Sequence, residues 1–574
     1  MKRIRNIIPI LETLRTYNKS MLRHDFIAGI TVATILVPQG LAYALLAGVP
    51  PIYGLYTAIV PLIVYAILGT SRQLAIGPVA ISSLLVLSGV SSIATPGTDE
   101  FLGLVITAGL LIGFCQWLLG LVRLGFIANF ISLPVITGFS SAAAVIILST
   151  QLRDALGIVI PRFDSVFSRL GYTMEHLGET SFLTTVICGG AIAIMLILKA
   201  INKKIPGALF VIIIGLVLVY FFNLDEKGVD IIGVIPEGLP SFSIPDLSIG
   251  KIKQLIPVVL TVTTIGIVEC VSIAKTLQAK HKDYDIDVDQ ELIAIGASKM
   301  VGAFFQSIPS SGSFSRSAIN SSAGAKTTIA AFFTVGLISL TLIFLTPLFY
   351  YLPSAVLAAI ILLAVVGLFD IKEVVHLWKT HKRDFLMMVV TFVCTLIFGI
   401  EEGVLIGVVI SIASVLIKSS KPHVAILGKV PGTNEFRNIK RFEDAIEYES
   451  TVIVRFDEQL YFANAGYFKD KVSKIINIPK YAKLKYFVLD ASNMHNIDST
   501  GIKILHDITS MLKSRGIELH MCGVKGPVRD MLYKNQMLTE IEKHHMNINA
   551  AIDQLQTGKP IKNKGKALQT NFRR

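Results

Sequence analysis

Charge is scarce in this chain. Only 16% of its 574 residues are Asp, Glu, Lys or Arg, against about 25% in soluble domains. Hydrophobic residues make up 52% and the mean hydropathy is +0.64. That balance excludes an ordinary soluble domain and defines an integral membrane protein. Cysteine is equally sparse. Cys115, Cys188, Cys270, Cys394 and Cys522 are scattered through apolar runs without metal-type spacing, so they read as inert packing residues. Neither a metal nor a cofactor is expected, and with no nucleophile–base set the chain does not read as an enzyme. The net charge of +13 sits mainly in loops and tails beside apolar spans. Membrane topology and anionic lipid account for it better than nucleic acid does. Residues 1–25 are basic and amphipathic, without the short apolar core of a cleavable signal, and are expected to form a cytoplasmic N-terminal segment.

Long apolar runs take the place of charge. They fall at 27–46, 52–68, 79–91, 102–121, 127–149, 181–199, 206–222, 255–277, 289–305, 313–324, 327–346, 353–369, 384–399 and 402–418. About fourteen spans are therefore predicted. Two of them, 79–91 and 313–324, are too short for a bilayer crossing of ~20 residues. With the basic N-terminus inside, the inner loops carry thirteen Lys/Arg. The outer loops carry six: Arg153, Arg162, Arg169, Lys227, Lys251 and Lys253. The positive-inside rule then places both termini in the cytoplasm. Seven spans precede the polar loop 223–254 and seven follow it. An odd repeat must re-enter from the opposite side, so a 7+7 inverted repeat is expected.

Both short spans start at helix breakers and run into small, hydroxyl-bearing residues. One reads Gly77-Pro78-Val79-Ala80-Ile81-Ser82-Ser83 and the other Ser311-Gly312-Ser313-Phe314-Ser315-Arg316-Ser317. A helix broken inside a bilayer leaves N–H groups unpaired, which is tolerated only where protein or a wet cavity supplies partners. Two such half-helices in corresponding repeats mark a transporter's binding site. Gln39 precedes Ser82 by 43 residues and Glu269 precedes Ser313 by 44. Each half thus pairs an intramembrane polar residue with a half-helix start. Free helix N-termini carry partial positive charge, so the expected ligand is an anion. Tight packing of small residues would explain the Ser and Gly content but not Arg316.

A guanidinium at membrane depth costs at least ~2.5–3.5 kcal/mol, so Arg316 should face a cavity and a partner. Beside free N–H groups it makes a bidentate oxyanion site; a structural ion pair is the alternative. Glu269 is a second costly charge, placed mid-span and suited to carrying a proton with the anion. Lys299 leaves two outcomes open. If its ammonium reaches Glu269, the two form a fixed internal ion pair; otherwise the carboxylate remains available for coupling.

The segments Pro38-Gln39-Gly40-Leu41-Ala42-Tyr43-Ala44, Gly77-Pro78-Val79 and Gly312-Ser313-Phe314-Ser315-Arg316-Ser317-Ala318, with Gly324-Ala325-Lys326-Thr327, resemble the SulP-type anion transporters. This family includes bacterial relatives of plant sulfate transporters and animal anion exchangers, and the resemblance covers nearly the whole chain. It implies a core domain carrying the half-helices and a gate domain, moving against each other as an elevator. A homodimer in a bacterial inner membrane is also implied. By position, Gln39, Tyr43, Ser315 and Arg316 would line the anion site, and backbone amides near Ala80 and Ser315 would complete it. The chemistry suits that assignment. Gln39 offers an amide just after Pro38, whose ring removes a helical hydrogen bond. Tyr43 follows one turn later on the same face. Neutral donors with one cation let an oxyanion bind and also leave. The family's plant sulfate members use an acid at the position of Glu269 for protons. Its sodium-coupled bicarbonate members have Asp there, with Thr one turn on, where this chain has Ile273. Protons are therefore expected ahead of sodium, and exchange or uncoupled transport is the alternative.

A small α/β domain begins near Pro422. Stretches 451–456, 484–489 and 518–522 read as strands, and 499–512 and 528–535 as helices. Leu489-Asp490-Ala491-Ser492 followed by Ile497-Asp498-Ser499-Thr500-Gly501 resembles the STAS domain shared with bacterial anti-sigma-factor antagonists. There the hydroxyl residue before the Gly is phosphorylated, which implies Thr500 as a regulatory phosphosite and a cytoplasmic regulator as partner. A plain helix N-cap is the alternative. The tail, 558–574, has six basic and no acidic residues and is expected to be disordered and lipid-facing. The expected domains are thus 1–25, 26–420 (transporter), 421–557 (STAS) and 558–574. The expected activity is secondary active transport of a small inorganic oxyanion, above all sulfate. Bicarbonate or dicarboxylate carriage on the same scaffold, or a membrane-tethered STAS signalling protein, are the alternatives.

Overall fold

Every expected span is occupied by helix in the computed structural model, which describes residues 8–126, 132–161, 163, 165–202, 206–234, 236–537 and 543–557. Residues 1–7, the start of the span at 127, Arg162, Lys203 and Lys204 from the charge count, and the basic tail 558–574 lie outside the described residues. The chain divides into two units, Met1–Ser411 and Ile412–Arg574.

In the first unit the helices that build the site are α1 (Lys19–Leu46), α2 (Ala80–Ser91), α3 (Asp99–Leu121), α4 (Leu133–Leu156), α5 (Ile249–His281), α6 (Val288–Ala303) and α7 (Phe314–Ser322). Long apolar helices form because a backbone in lipid must satisfy its own hydrogen bonds. Among the described residues, seven helical stretches are long and apolar enough to cross a membrane. The remaining crossings are short or interrupted. The span at 52–68 divides into Ile52–Thr57 and Val60–Leu68; one of the seven, Ala330–Tyr351, continues past Leu340 as a widened turn and a 3₁₀ segment. Outward faces are apolar: Phe182, Ile197, Phe210, Ile213 and Phe221 are all exposed, as lipid contact requires.

These helices fall into two packed groups. One gathers α1, α2, α3, α5, α6 and α7 with Val60–Leu68 and Ala330–Leu340; the other gathers α4 with Phe182–Ile201, Ser354–Val366 and Lys382–Phe398. They correspond to the expected core and gate. Two extra helices, Val166–Glu175 and Ile371–Thr380, carry few buried residues and were not anticipated. Two buried carboxylates tie down core loops. Asp25 accepts hydrogen bonds from the Lys326 and Thr327 amides and the Thr327 hydroxyl. Glu291 accepts from the Tyr65 hydroxyl, the Thr70 amide and hydroxyl, and the Ser71 amide. With its acceptor sites filled, each carboxylate can stay buried.

Between the repeats, β1 (Ile76–Gly77) pairs antiparallel with β2 (Ser311–Gly312), Ile76 opposite Gly312 and Gly77 opposite Ser311. This ladder brings together segments more than 230 positions apart in sequence at the points where α2 and α7 begin.

The second unit is a six-stranded sheet of order β4-β3-β5-β6-β7-β8, with β3 (Val424–Lys429), β4 (Phe436–Asn438), β5 (Thr451–Phe456), β6 (Tyr486–Asp490), β7 (Glu518–Cys522) and β8 (Lys543–His545). The run β5 to β8 is parallel and the β3 edge antiparallel. Helices α8 (Ala465–Ile476), α9 (Ser499–Lys513) and α10 (Gly526–Lys534) provide crossovers, packing Phe468, Leu505 and Leu532 against Phe456 and Phe487. The strand expected at 484–489 is displaced to Tyr486–Asp490, because Leu484 closes the preceding turn with its amide on Tyr481.

Candidate functional site

The site is built where α2 and α7 start. Gly77 has φ +152, a backbone conformation that favours glycine, and a Cβ there would lie 3.3 Å from Arg316 Nη2. The guanidinium therefore rests against the β1 backbone. The first turn of any helix leaves N–H groups without intrahelical partners. At α2 no side chain caps them: the residue before Ala80 is Val79, in extended conformation. At α7, Ser313 is the N-cap, its Oγ accepting from the Arg316 amide at 3.4 Å. The equivalence of Ser82 with Ser313 suggested by spacing is thus offset. Ser82 lies inside α2, and Val79 holds the position that Ser313 holds at α7.

Arg316 is 1% exposed. Its Nη1 donates to Gln39 Oε1 at 3.1 Å, whereas Nε and Nη2 have no hydrogen-bond partner in the protein. The guanidinium takes an amide as partner in place of the acidic neighbour that a structural ion pair would need. Gln39 follows Pro38 within α1, and its amide keeps an NH₂ group to offer a ligand. Tyr43, one turn further on, is buried in the electrostatic neighbourhood of Arg316 and Glu269. Ala80 opens α2. Ser315 is the second residue of α7; its side chain is exposed and its Oγ lies 3.3 Å from Ser313 Oγ.

Glu269 on α5 accepts from the Ser311 hydroxyl at 2.9 Å. It contributes the carboxylate to an otherwise mainly apolar cavity of about 260 Å³, lined from the core by Ile81, Ile273 and Phe314, from the gate by Val135 and Phe139, and by Val408 on the helix Ile400–Ser420. Lys299 resolves the open question: its Nζ donates to Gln116 Oε1 at 2.8 Å. The ammonium therefore takes an amide, and Glu269 is held by Ser311. Ser311, Gln116 and the capping role of Ser313 escaped sequence reasoning. The first two are ordinary polar residues in apolar runs, recognisable only through their partners.

Lys299 and Arg316 thus lie buried in a core of apolar helices, with Glu269 beside them and with donors of Arg316 left unpartnered beside the half-helix tips. That arrangement is of the kind found in membrane transporters built on paired half-helices. The chain belongs to the sulfate permease family, whose family model matches residues 22–391, and its C-terminal unit is a STAS domain, matched over 444–552. Two Arabidopsis thaliana relatives are Sulfate transporter 4.1, chloroplastic, and Sulfate transporter 1.1. The first is 38% identical over 545 residues, covering 92% of this chain and 78% of that protein. The second is 34% identical over 565 residues, covering 94% and 86%. Murine Solute Carrier 26 family member A9, an anion transporter solved in its inward-facing state, superposes with a TM-score of 0.89 at 25% identity, over 97% of this chain and 95% of that one. The transmembrane domain of the cyanobacterial bicarbonate transporter BicA shares the fold at 20% identity and a TM-score of 0.61, covering 68% of this chain and 98% of that one.

In the STAS unit Asp498 is the N-cap of α9, its Oδ1 accepting from the Gly501 amide at 2.7 Å. Its Oδ2 accepts from the Phe462 amide at 2.9 Å. Thr500 is exposed at the second position of that helix.

Proposed function

We propose that this protein is a secondary active transporter of sulfate, driven by protons and working as an elevator in a bacterial plasma membrane. One observation carries the reading: the 1%-exposed guanidinium of Arg316 has two unpartnered donors beside two helix starts. Burying such donors without a partner is costly, and an oxyanion removes the cost by accepting from both. Gln39 and Tyr43 supply neutral donors, and the first amides of α2 and α7, near Ala80 and Ser315, supply the rest. Their partial charges are fixed in place, so binding requires little reorganisation.

Glu269 is the coupling residue in this reading. When it is ionised, its charge opposes that of Arg316; when it is protonated, the cation is uncompensated and an anion is favoured. Proton and sulfate binding therefore reinforce one another. Ile273, which lines the cavity on the same helix, brings no oxygen for a hard cation, so sodium coupling is not supported. The cavity's position between core and gate supports an elevator: both half-helices lie in the core group and would carry the anion with them past α4. Thr500 is proposed as a regulatory phosphosite, since phosphate is stabilised at a helix N-terminus. Finding no phosphate there in protein from its native host, across several growth conditions, would remove it.

The test is uptake of radiolabelled sulfate, bicarbonate and dicarboxylate into proteoliposomes under imposed pH or sodium gradients. Sulfate should accumulate on an inward proton gradient and be indifferent to sodium. Accumulation of another anion, or sodium dependence, would overturn the assignment.

A further inference from the structure

Lys299 has no place in the anion site, yet it is only 3% exposed within α6. It sits on α6 where that helix meets α3: a Cβ on Gly113 would lie 2.8 Å from Lys299 Cβ. Its ammonium donates to Gln116 Oε1. Gln116, fully buried, passes its Nε2 to the Thr263 carbonyl on α5 at 3.3 Å. A cation and an amide buried between apolar helices cost more than Leu or Met would at the same positions. Packing alone does not account for them.

Helix α5 makes room for this pair at Gly266. A Cβ there would lie 2.9 Å from Gln116 Nε2 and 4.0 Å from Ser311 Oγ. Ser311 Oγ donates to Glu269 Oε2, and Glu269 is three residues beyond Gly266 on the same helix. The Lys299–Gln116 pair and the Ser311–Glu269 pair therefore border the same Gly266 notch, two buried polar pairs side by side without a hydrogen bond joining them. Of these residues only Glu269 lines the cavity between core and gate.

We propose that Lys299, Gln116 and Ser311 are positioning residues for the coupling carboxylate, orienting Glu269 and setting the pH at which it takes up its proton without touching the anion. This rests on the reading of Glu269 as the proton carrier. The other groups facing Glu269 are Arg316 on α7, Tyr43 on α1 and Cys270 on α5 itself. Two of the neighbours are cations, Arg316 and Lys299. A bound anion neutralises the first, so Lys299 is the cation whose influence persists through the transport cycle.

The experiment is the pH profile of initial sulfate uptake in proteoliposomes. It compares wild type, Glu269→Gln, Lys299→Met, Lys299→Arg and Ser311→Ala, each checked for monodisperse folded protein. Loss of a neighbouring cation favours the neutral carboxyl, so Lys299→Met should move the profile midpoint about one unit towards higher pH. Lys299→Arg should restore it. Ser311→Ala, a near-isosteric change, should shift it the same way and decides the matter if Lys299→Met does not fold or is inactive. At the most acid pH the KM for sulfate should stay within about twofold of wild type in both shifted variants, since neither residue meets the anion. A wild-type pH profile in Glu269→Gln overturns the proton-carrier reading and the positioning role with it. A flat profile in Glu269→Gln, with unmoved midpoints in folded Lys299→Met and Ser311→Ala, overturns the positioning role alone.

Discussion

The two half-helices share a geometry and divide the chemistry. Both leave the β1–β2 ladder, α2 starting at Ala80 with no side-chain cap and α7 at Phe314 with its Arg316 amide capped by Ser313. The first, α2, offers backbone alone: its N-cap is Val79 and its first turn has no charge. The second, α7, adds a serine cap and a buried guanidinium to the same backbone. A pair of helix dipoles can attract an anion, but each end is worth only ~0.3–1 kcal/mol at exposed sites. The charge on α7 supplies strength and a forked geometry suited to an oxyanion. Under the proposed anion site, the two helix starts build the pocket and the α7 half determines what enters it.

The largest effect should come from removing that asymmetry. Arg316→Ala leaves both helix starts in place, and sulfate uptake in proteoliposomes should fall about a hundredfold or more, as loss of one member of a buried charged contact does. Next comes the ladder beneath the guanidinium. Gly77→Ala forces a Cβ into a φ of +152 and against Arg316 Nη2, a strain of ~1–3 kcal/mol that should lower uptake about tenfold and reduce thermal stability. Ser313→Ala removes the cap of α7, and at ~1 kcal/mol for such a cap the protein should lose thermal stability by that order, read as a lower melting temperature in detergent. The smallest change adds what α2 lacks. Val79→Ser provides an oxygen that competes with the anion for the α2 amides, so sulfate KM should rise about twofold while kcat is kept. An unchanged KM instead would mean that the α2 amides do not contact the anion.

The interruptions at Gly77-Pro78 and before Phe314 were legible in the sequence because lipid tolerates broken backbone only at a purpose-built place. Arg316 and Glu269 stood out for the same reason. Registers and partners were hidden. The β1–β2 ladder is two residues per strand, too short for any alternating pattern, and its strands are more than two hundred positions apart. That Lys299 takes Gln116 and not Glu269 depends on how α3, α5 and α6 pack around Gly266, which no periodicity records. In the STAS unit, parallel strands β5, β6 and β7 were visible as apolar runs, whereas the short edge strand β4 was not. The amphipathic helices Val166–Glu175 and Ile371–Thr380 escaped a search built on long apolar runs.

The central claim is that one anion sits between both helix starts and the Arg316 guanidinium. A density map of the sulfate-loaded protein in lipid tests it most directly. Tetrahedral density should lie within hydrogen-bond reach of Arg316, Gln39 and the first amides of α2 and α7. Sulfate density elsewhere, with Arg316 still bound only to Gln39, would contradict it.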